Sequence, residues 1–284
     1  MDALPLPYRG RFGDIRPPAL AGLPLPPAPM PPRRGGRPLK AWRYVGVYGP
    51  ELMLCLAAVR IGPARQAFWA VWDRRAERLH ERTVTGRGGV RIESGRAQVR
   101  DHGIEIDLAL EESAGIEAVC RSGAAYAWTR KQGGVVARGG VRIDGVTHAL
   151  VGHAVIDDTA AYYERHTHWR WSAGVGRAGD GRELAWNLVA GVNDPPERSE
   201  RTIWVDGVAA EAGPCAFADD LSGVSIADGG SLRFRSEAVH EHRRNLLLVR
   251  SSYRQPFGTF AGALPGGIEL AEGYGVMEEH DVRW

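Results

Sequence analysis

An all-β protein is predicted by three observations. Apolar residues recur with a period of two, glycine and charged turns separate short runs rich in Val, Ile, Trp and Tyr, and sustained helical periodicity is scarce. This pattern serves a sandwich or a barrel. The segment 104–110 shows it most clearly: Ile104, Ile106, Leu108 and Leu110 take one parity, Glu105, Asp107 and Ala109 the other. Such a strand buries one face and wets the other.

In chain order, residues 1–39 are expected to form a proline-rich extended arm. Of the 18 prolines, 11 lie in the first 40 residues. The stretch PPALAGLPLPPAPMPPRRGG suits neither a helix nor a central strand, because proline fixes φ and has no N–H to donate. Leu20, Leu23, Leu25 and Met30 are apolar anchors for a groove on the body; a polyproline ligand for another protein is the alternative. Residues 40–152 then supply a first β unit, through AWRYVGVYG, ELMLCLAAVRI, AFWAVWD and their successors. Residues 153–284 supply a second, and the halves are expected to meet near 150–160. DTAAYYERH, Asp158 to His166, is the best short helix or turn, with Asp158 as N-cap. The halves echo each other. Trp42-Arg43-Tyr44 returns as Trp169-Arg170-Trp171, and FWAVWD, ending at Asp73, returns as TIWVD, ending at Asp206. The offset between the echoes is close to half of the chain after the arm, as a duplicated β unit, two similar barrels in tandem, would require.

Composition narrows the function. Hydrophobic residues make up 44% and charged residues 25% of 284 positions, enough apolar material for a substantial core. A net charge of +2 gives no broad electrostatic case for nucleic acid or an anionic membrane. No apolar run approaches the roughly 20 residues of a membrane-spanning helix. MDALPLPYRG lacks the basic start and apolar run of a secretory signal, so a cytoplasmic protein is expected. Cys55, Cys120 and Cys215 form no CxxC pair and are expected to be reduced and mostly buried. Lys40 and Lys131 are the only lysines in an arginine-rich chain, which reads as genomic base composition.

The chemistry-bearing residues cluster late. In HTHWRWSAGVG, His166 and His168 share one parity, Trp169 and Trp171 the other. With the tryptophans inward they wall an apolar pocket, and their π faces suit a developing cation; His168 then stands at the pocket edge. With the histidines inward, Glu164, His166 and His168 could hold a metal. The first reading is favoured, and no metal site is expected. The last strand, GYGVMEEHDVRW, sets Val276, Glu278, His280, Val282 and Trp284 on one face. A desolvated Glu278 stays protonated and acts as general acid, with His280 orienting it or relaying the proton; a rim salt bridge is the plainer alternative. Asp157 is a second candidate acid. Tyr253 is a proton donor, a ligand anchor or a core tyrosine, and Arg250 precedes it. Asn187, in AWNL, pins a neighbouring strand or contacts a ligand. Asn193, Asp194 and Glu197 fringe the cavity or mark a turn. His240 and His242 read as a solvated turn. There is no Walker loop or HExxH; GVGRAGDG reads as a hairpin turn and WSAG lacks a nucleophile elbow. Nucleotide-dependent and serine-hydrolase chemistry are set aside, and no cofactor is expected.

The stretches RPLKAWRYVGVY, HWRWSAGVGR…LAWNLVAGVND and QPFGTFAGALPGG…GYGVMEEHDVRW resemble the bacterial domain-of-unknown-function family DUF2804. More distantly the chain is similar to the tandem lipocalin-like superfamily of carotenoid 1,2-hydratases, tocopherol cyclases, fungal pericyclase-type cyclases and a yeast lipid-handling survival factor. The resemblance implies two lipocalin-like antiparallel β-barrels that hold a bulky apolar or amphiphilic small molecule. It implies a cofactor-independent hydratase, isomerase or cyclase using acid catalysis; the alternatives are a lipid carrier or sensor without turnover and a structural module without a ligand.

Overall fold

The computed structural model describes residues 5–246 and 249–284. The first four residues of the expected arm, and 247 and 248 in the expected run NLLLVR, lie outside the described residues. Apart from a single 3-10 turn at Pro18–Leu20, every regular element among the described residues is a β-strand. No helix among them is long and apolar enough to cross a membrane.

Strand chemistry is local and regular. Ile104–Leu110 buries and exposes its residues in strict alternation. Asp144-Gly145 and Asp206-Gly207 close two hairpins with φ of 48° and 89°, and 48° and 77°. Positive φ at both central residues is the hairpin geometry that matches strand twist, and Asp-Gly tolerates it best. Of the helix or turn expected at 158–166, no helix forms; the chain turns at 162–165. Asp158 to Ala161 complete the strand Val146–Ala161, and a new strand, His166–Ala178, starts where the helix was to end. The reason is tertiary. Ala160 and Ala161 pair with Trp128 and Ala127, while Tyr162 and Tyr163 bury in different clusters. Asp158 accepts two hydrogen bonds from Arg43 instead of capping a helix.

The first sheet orders its strands Arg78–Thr85, Ala64–Asp73, Leu52–Ile61, Lys40–Tyr48, Val146–Ala161, Ala125–Ile143, Ile104–Leu110, Arg96–Asp101, Val90–Glu93. The second runs Val208–Glu211, Thr202–Val205, Glu183–Ala190, His166–Ala178, Ile268–Arg283, Val249–Leu264, Gly230–Leu246, Gly223–Ile226, Cys215–Phe217. The two paths are identical in topology: in each half the opening strand lies beside the closing one, and the ladders are antiparallel. The sequence echo is therefore positional. Trp42 and Trp169 sit at matching places in the opening strands, and Tyr44 faces Asp157 as Trp171 faces Glu278. The first half adds one strand, Ile116–Ser122, which pairs with the arm strand Tyr8–Arg11. The expected junction at 150–160 falls inside Val146–Ala161, which is hydrogen-bonded to the first sheet; the chain changes sheet at 162–165.

Each sheet curls around its own core. Val45, Leu54, Leu56, Trp69 and Ile106 are among those filling the first, and Leu184, Trp186, Leu188, Phe260 and Met277 among those filling the second. Among the described residues no ladder joins the outer strands of either sheet, so each curl keeps an open seam. Side chains pack across it, as Val90 does against the first core. Residues of the other parity build a third cluster where the sheets meet, with Tyr44, Tyr48 and Met53 from one and Trp171, Trp204 and Phe257 from the other. Gly133 is needed there: a Cβ would come within 2.3 Å of the Trp204 ring. The arm lies over the outside of the first sheet. Leu20 and Leu25 are buried, Tyr126 and Tyr162 donate their hydroxyls to the carbonyls of Pro24 and Pro31, and Arg16 grips both oxygens of the fully buried Glu117.

Candidate functional site

Strand alternation, applied twice, creates the site. With the aliphatic parity turned into each curl, the aromatic and titratable parity is left at the junction. A cavity of about 350 Å³ lies there, lined by both sheets. The barrel interiors are filled, so the expected barrel cavity is found between the two curls instead. Trp42 and Trp169 stack across the junction at 6.2 Å between centroids and 8° between planes. Tyr44 meets Trp171 edge-on at 5.4 Å.

Each half brings one carboxyl group to its tryptophan. Trp169 Nε1 donates to Glu278 at 2.8 Å, and Trp42 Nε1 donates to Asp157 at 3.1 Å. The two sites then diverge. Glu278 is 7% exposed and pairs with no cation among the described residues; it also accepts from the Tyr253 hydroxyl at 3.0 Å and from Gln255 Nε2 at 2.9 Å. Burial drives its pKa from 4.5 to about 7, helped by the charge of Asp157 and opposed by the three donors. Asp157 instead meets Lys131 Nζ at 2.5 Å, and the same ammonium lies 3.3 Å from Glu200. Burial alone would depress Lys131, but Asp157 and Glu200 hold it above its ordinary value. Burial raises Glu200 in turn, against the pull of Lys131. The cavity thus has a neutralising cation at one carboxyl pole and an acid poised near neutrality at the other.

The sequence candidates divide cleanly. Glu278, His280, Asp157, Tyr253, Trp169, Trp171 and Trp284 all line the cavity. Their shared face leads to the expectation that His280 orients Glu278 or relays its proton, but His280 does not hold Glu278. Its Nε2 bonds Ser251 Oγ at 2.8 Å, and burial lowers its pKa to about 3, so it is a neutral ring at physiological pH. Tyr253 donates a hydrogen bond from its hydroxyl to Glu278, and burial followed by that carboxyl pushes its pKa well above the phenol range, so it keeps its proton. Asn187 lies behind the wall: its Oδ1 accepts from Trp171 Nε1 at 2.8 Å and its Nδ2 donates to the Glu200 carbonyl, fixing the Trp171 ring. His168 is exposed outside the cavity beside Glu279, because alternation turns it away from Trp169 and Trp171. Arg250 is exposed as well and is absent from the lining. His166 reaches Asp281 and Glu164 precedes the strand, so the three do not converge; no group of three His, Cys, Asp or Glu among the described residues could hold a metal. Asn193 does line the cavity, donating to Tyr163 and Glu200. His240 is no solvated turn. It lies within the strand Gly230–Leu246, 2% exposed. Glu241 and Arg243 take the exposed parity, while His240, His242 and Arg244 take the one that lines the cavity.

Sequence reasoning missed Trp42, Lys131, Glu200 and the pair His240–Glu81. Two signals were present. Trp42 is the echo of Trp169. The only two lysines, both fully buried, were set where arginine serves elsewhere; Lys40 donates to the Tyr163 carbonyl beside this site. A compact ammonium can enter a space that a planar guanidinium cannot.

Fold and site together define a class: a duplicated antiparallel β protein with an aromatic, carboxyl-bearing cavity between its halves. Residues 81–284 match the family described as domain of unknown function (DUF2804), and the chain belongs to that family. No curated protein matches it. Among solved structures it is similar to a putative AttH protein from Nitrosomonas europaea, at 14% identity, covering 84% of this chain and 91% of that one with a TM-score of 0.55. It is also similar to kievitone hydratase from Nectria haematococca, at 12% identity over 84% and 88% of the chains, with a TM-score of 0.53. At these identities the likeness establishes a shared fold.

Proposed function

We propose that the cavity between the sheets binds a bulky, largely apolar small molecule, and that Glu278 transfers a proton to it in a hydration, isomerisation or cyclisation. The carrying observation is a buried carboxyl group at the cavity wall with a pKa of about 7. A general acid is most effective when its pKa lies near the working pH. The rings of Trp42, Trp169 and Trp171 suit the positive charge that protonation would develop on carbon. A carrier would need the apolar lining but not an uncompensated acid, which weakens the fold as it ionises. A structural module would need no cavity. The name of kievitone hydratase, which shares the fold, supports addition of water as one such reaction.

Native mass spectrometry of the protein purified from cells identifies the small molecule it carries, and chromatography follows that molecule's conversion. Conversion by the wild type, with Glu278→Gln binding but not converting, sustains the proposal. Binding without conversion by either reduces the protein to a carrier. A protein that takes up no apolar molecule has neither role.

A further inference from the structure

His240 is not used by the acid chemistry above, yet it is placed as a ligand-recognition group. It lies on the cavity wall, 2% exposed, with its ring 5.3 Å from that of Phe68 and 5.6 Å from that of Tyr253. It comes from the second sheet, but Nδ1 lies 2.5 Å from Oε2 of Glu81, on the first. A carboxylate only accepts, so Nδ1 carries the proton and donates it. In the neutral ring Nε2 is then a lone-pair acceptor. Among the described residues no group hydrogen-bonds that buried nitrogen. Buried polar atoms rarely go unmatched, and each that does calls for a partner.

The surroundings state what that partner is. In the ladders His240 faces Gln255, whose amide holds Glu278, and His242 faces Tyr253, which faces His280. Tyr253 has one hydroxyl proton and gives that hydrogen bond to Glu278, while the Gln255 amide donates to Glu278 and makes no hydrogen bond to Nε2. The nearby wall is aromatic: Phe68, Tyr253, Tyr44. We propose that His240, oriented by Glu81, accepts a hydrogen bond from the hydroxyl of the ligand, so that the cavity selects aromatic compounds bearing a free phenol-type hydroxyl. The inference rests on the reading above only in that the cavity takes a small molecule; it does not depend on Glu278 as an acid. Glu81 is a positioning residue, since it meets the ligand only through the imidazole.

Two isosteric probes test this: 2-naphthol, and 2-methylnaphthalene, in which a methyl replaces the hydroxyl. Each is titrated into the full chain by isothermal calorimetry. Satisfying a buried acceptor makes the wild type prefer 2-naphthol by roughly tenfold. His240→Asn keeps a donor toward Glu81 at the position of Nδ1 but has nothing at that of Nε2; the preference falls to within about twofold. His240→Gln restores an acceptor near Nε2 and recovers most of it. Circular dichroism confirms that both variants fold. Equal binding of the two probes by the wild type overturns the proposal and leaves the cavity reading standing. A preference that survives His240→Asn overturns it too, and moves recognition to Asn193 Oδ1, the other unmatched acceptor on the wall. Failure of both probes to bind the wild type overturns the proposal, while the cavity reading is decided separately by the molecule that mass spectrometry finds.

Discussion

Replacing Glu278 by glutamine tests the central physical claim without knowledge of any ligand. The amide keeps the size of the side chain and an acceptor for Trp169, but it cannot ionise. In the native protein Glu278 titrates near 7, and in the unfolded chain near its ordinary value of 4.5. Between those values the native state holds more protons than the unfolded state, so stability falls as pH rises through the window. At about 1.4 kcal/mol per pKa unit, the loss comes to about 3 kcal/mol by pH 8.5. His280 acts in the opposite sense: its native value of about 3 lies below the ordinary 6.5, so it favours folding increasingly as pH rises from 3 to 6.5. The two slopes oppose each other in the wild type, and the quantity to read is therefore the difference between Glu278→Gln and wild type. Urea unfolding at pH 4 and pH 8.5 measures it. The variant should gain about 3 kcal/mol on the wild type between the two, roughly a 1 M shift in the difference of midpoints. A difference that stays constant across that range means the carboxyl titrates alike in both states, and the desolvated acid does not exist.

Three further outcomes follow from the same geometry. Lys131→Met leaves Asp157 and Glu200 buried without their shared cation and should cost about 3–5 kcal/mol in urea unfolding at pH 7; an unchanged midpoint would show that the pair is already solvated. Arg16→Ala strips the fully buried Glu117 of the cation that grips it, leaving the Trp128 N–H as its hydrogen-bond partner among the described residues, and should cost about 3 kcal/mol. A neutral result there would mean that the arm is not held against the first sheet. Trp169→Phe removes one of three donors that favour the charged form of Glu278, so the carboxyl should titrate above 7. Infrared titration of its protonated C=O stretch reads that shift, and a midpoint at or below the wild-type value counts against the assigned hydrogen bond.

What the sequence by itself determined was whatever alternation along a single strand controls. The strand at 104–110, the inward turn of Trp169 and Trp171, and the shared face of Glu278, His280, Val282 and Trp284 all follow from side chains pointing to opposite sides of the backbone in turn. The duplication was legible for the same reason, because Trp42 and Trp169 fill one structural position twice. Only the tertiary structure decided which strands became neighbours, and the site depends on that. Asp157 meets Lys131 by pairing within one sheet, but Glu200 reaches the same ammonium from the loop before Thr202–Val205 in the other half, and His240 finds Glu81 across the junction. No local pattern carries that information, since register and sheet packing bring together residues far apart in the chain. Asp158 to His166 shows the same limit in reverse: a segment with a plausible cap and helix formers became a strand end, at 158–161, and the turn into the next strand, because ladder pairing and the burial of two tyrosines outweigh the propensity of one short stretch.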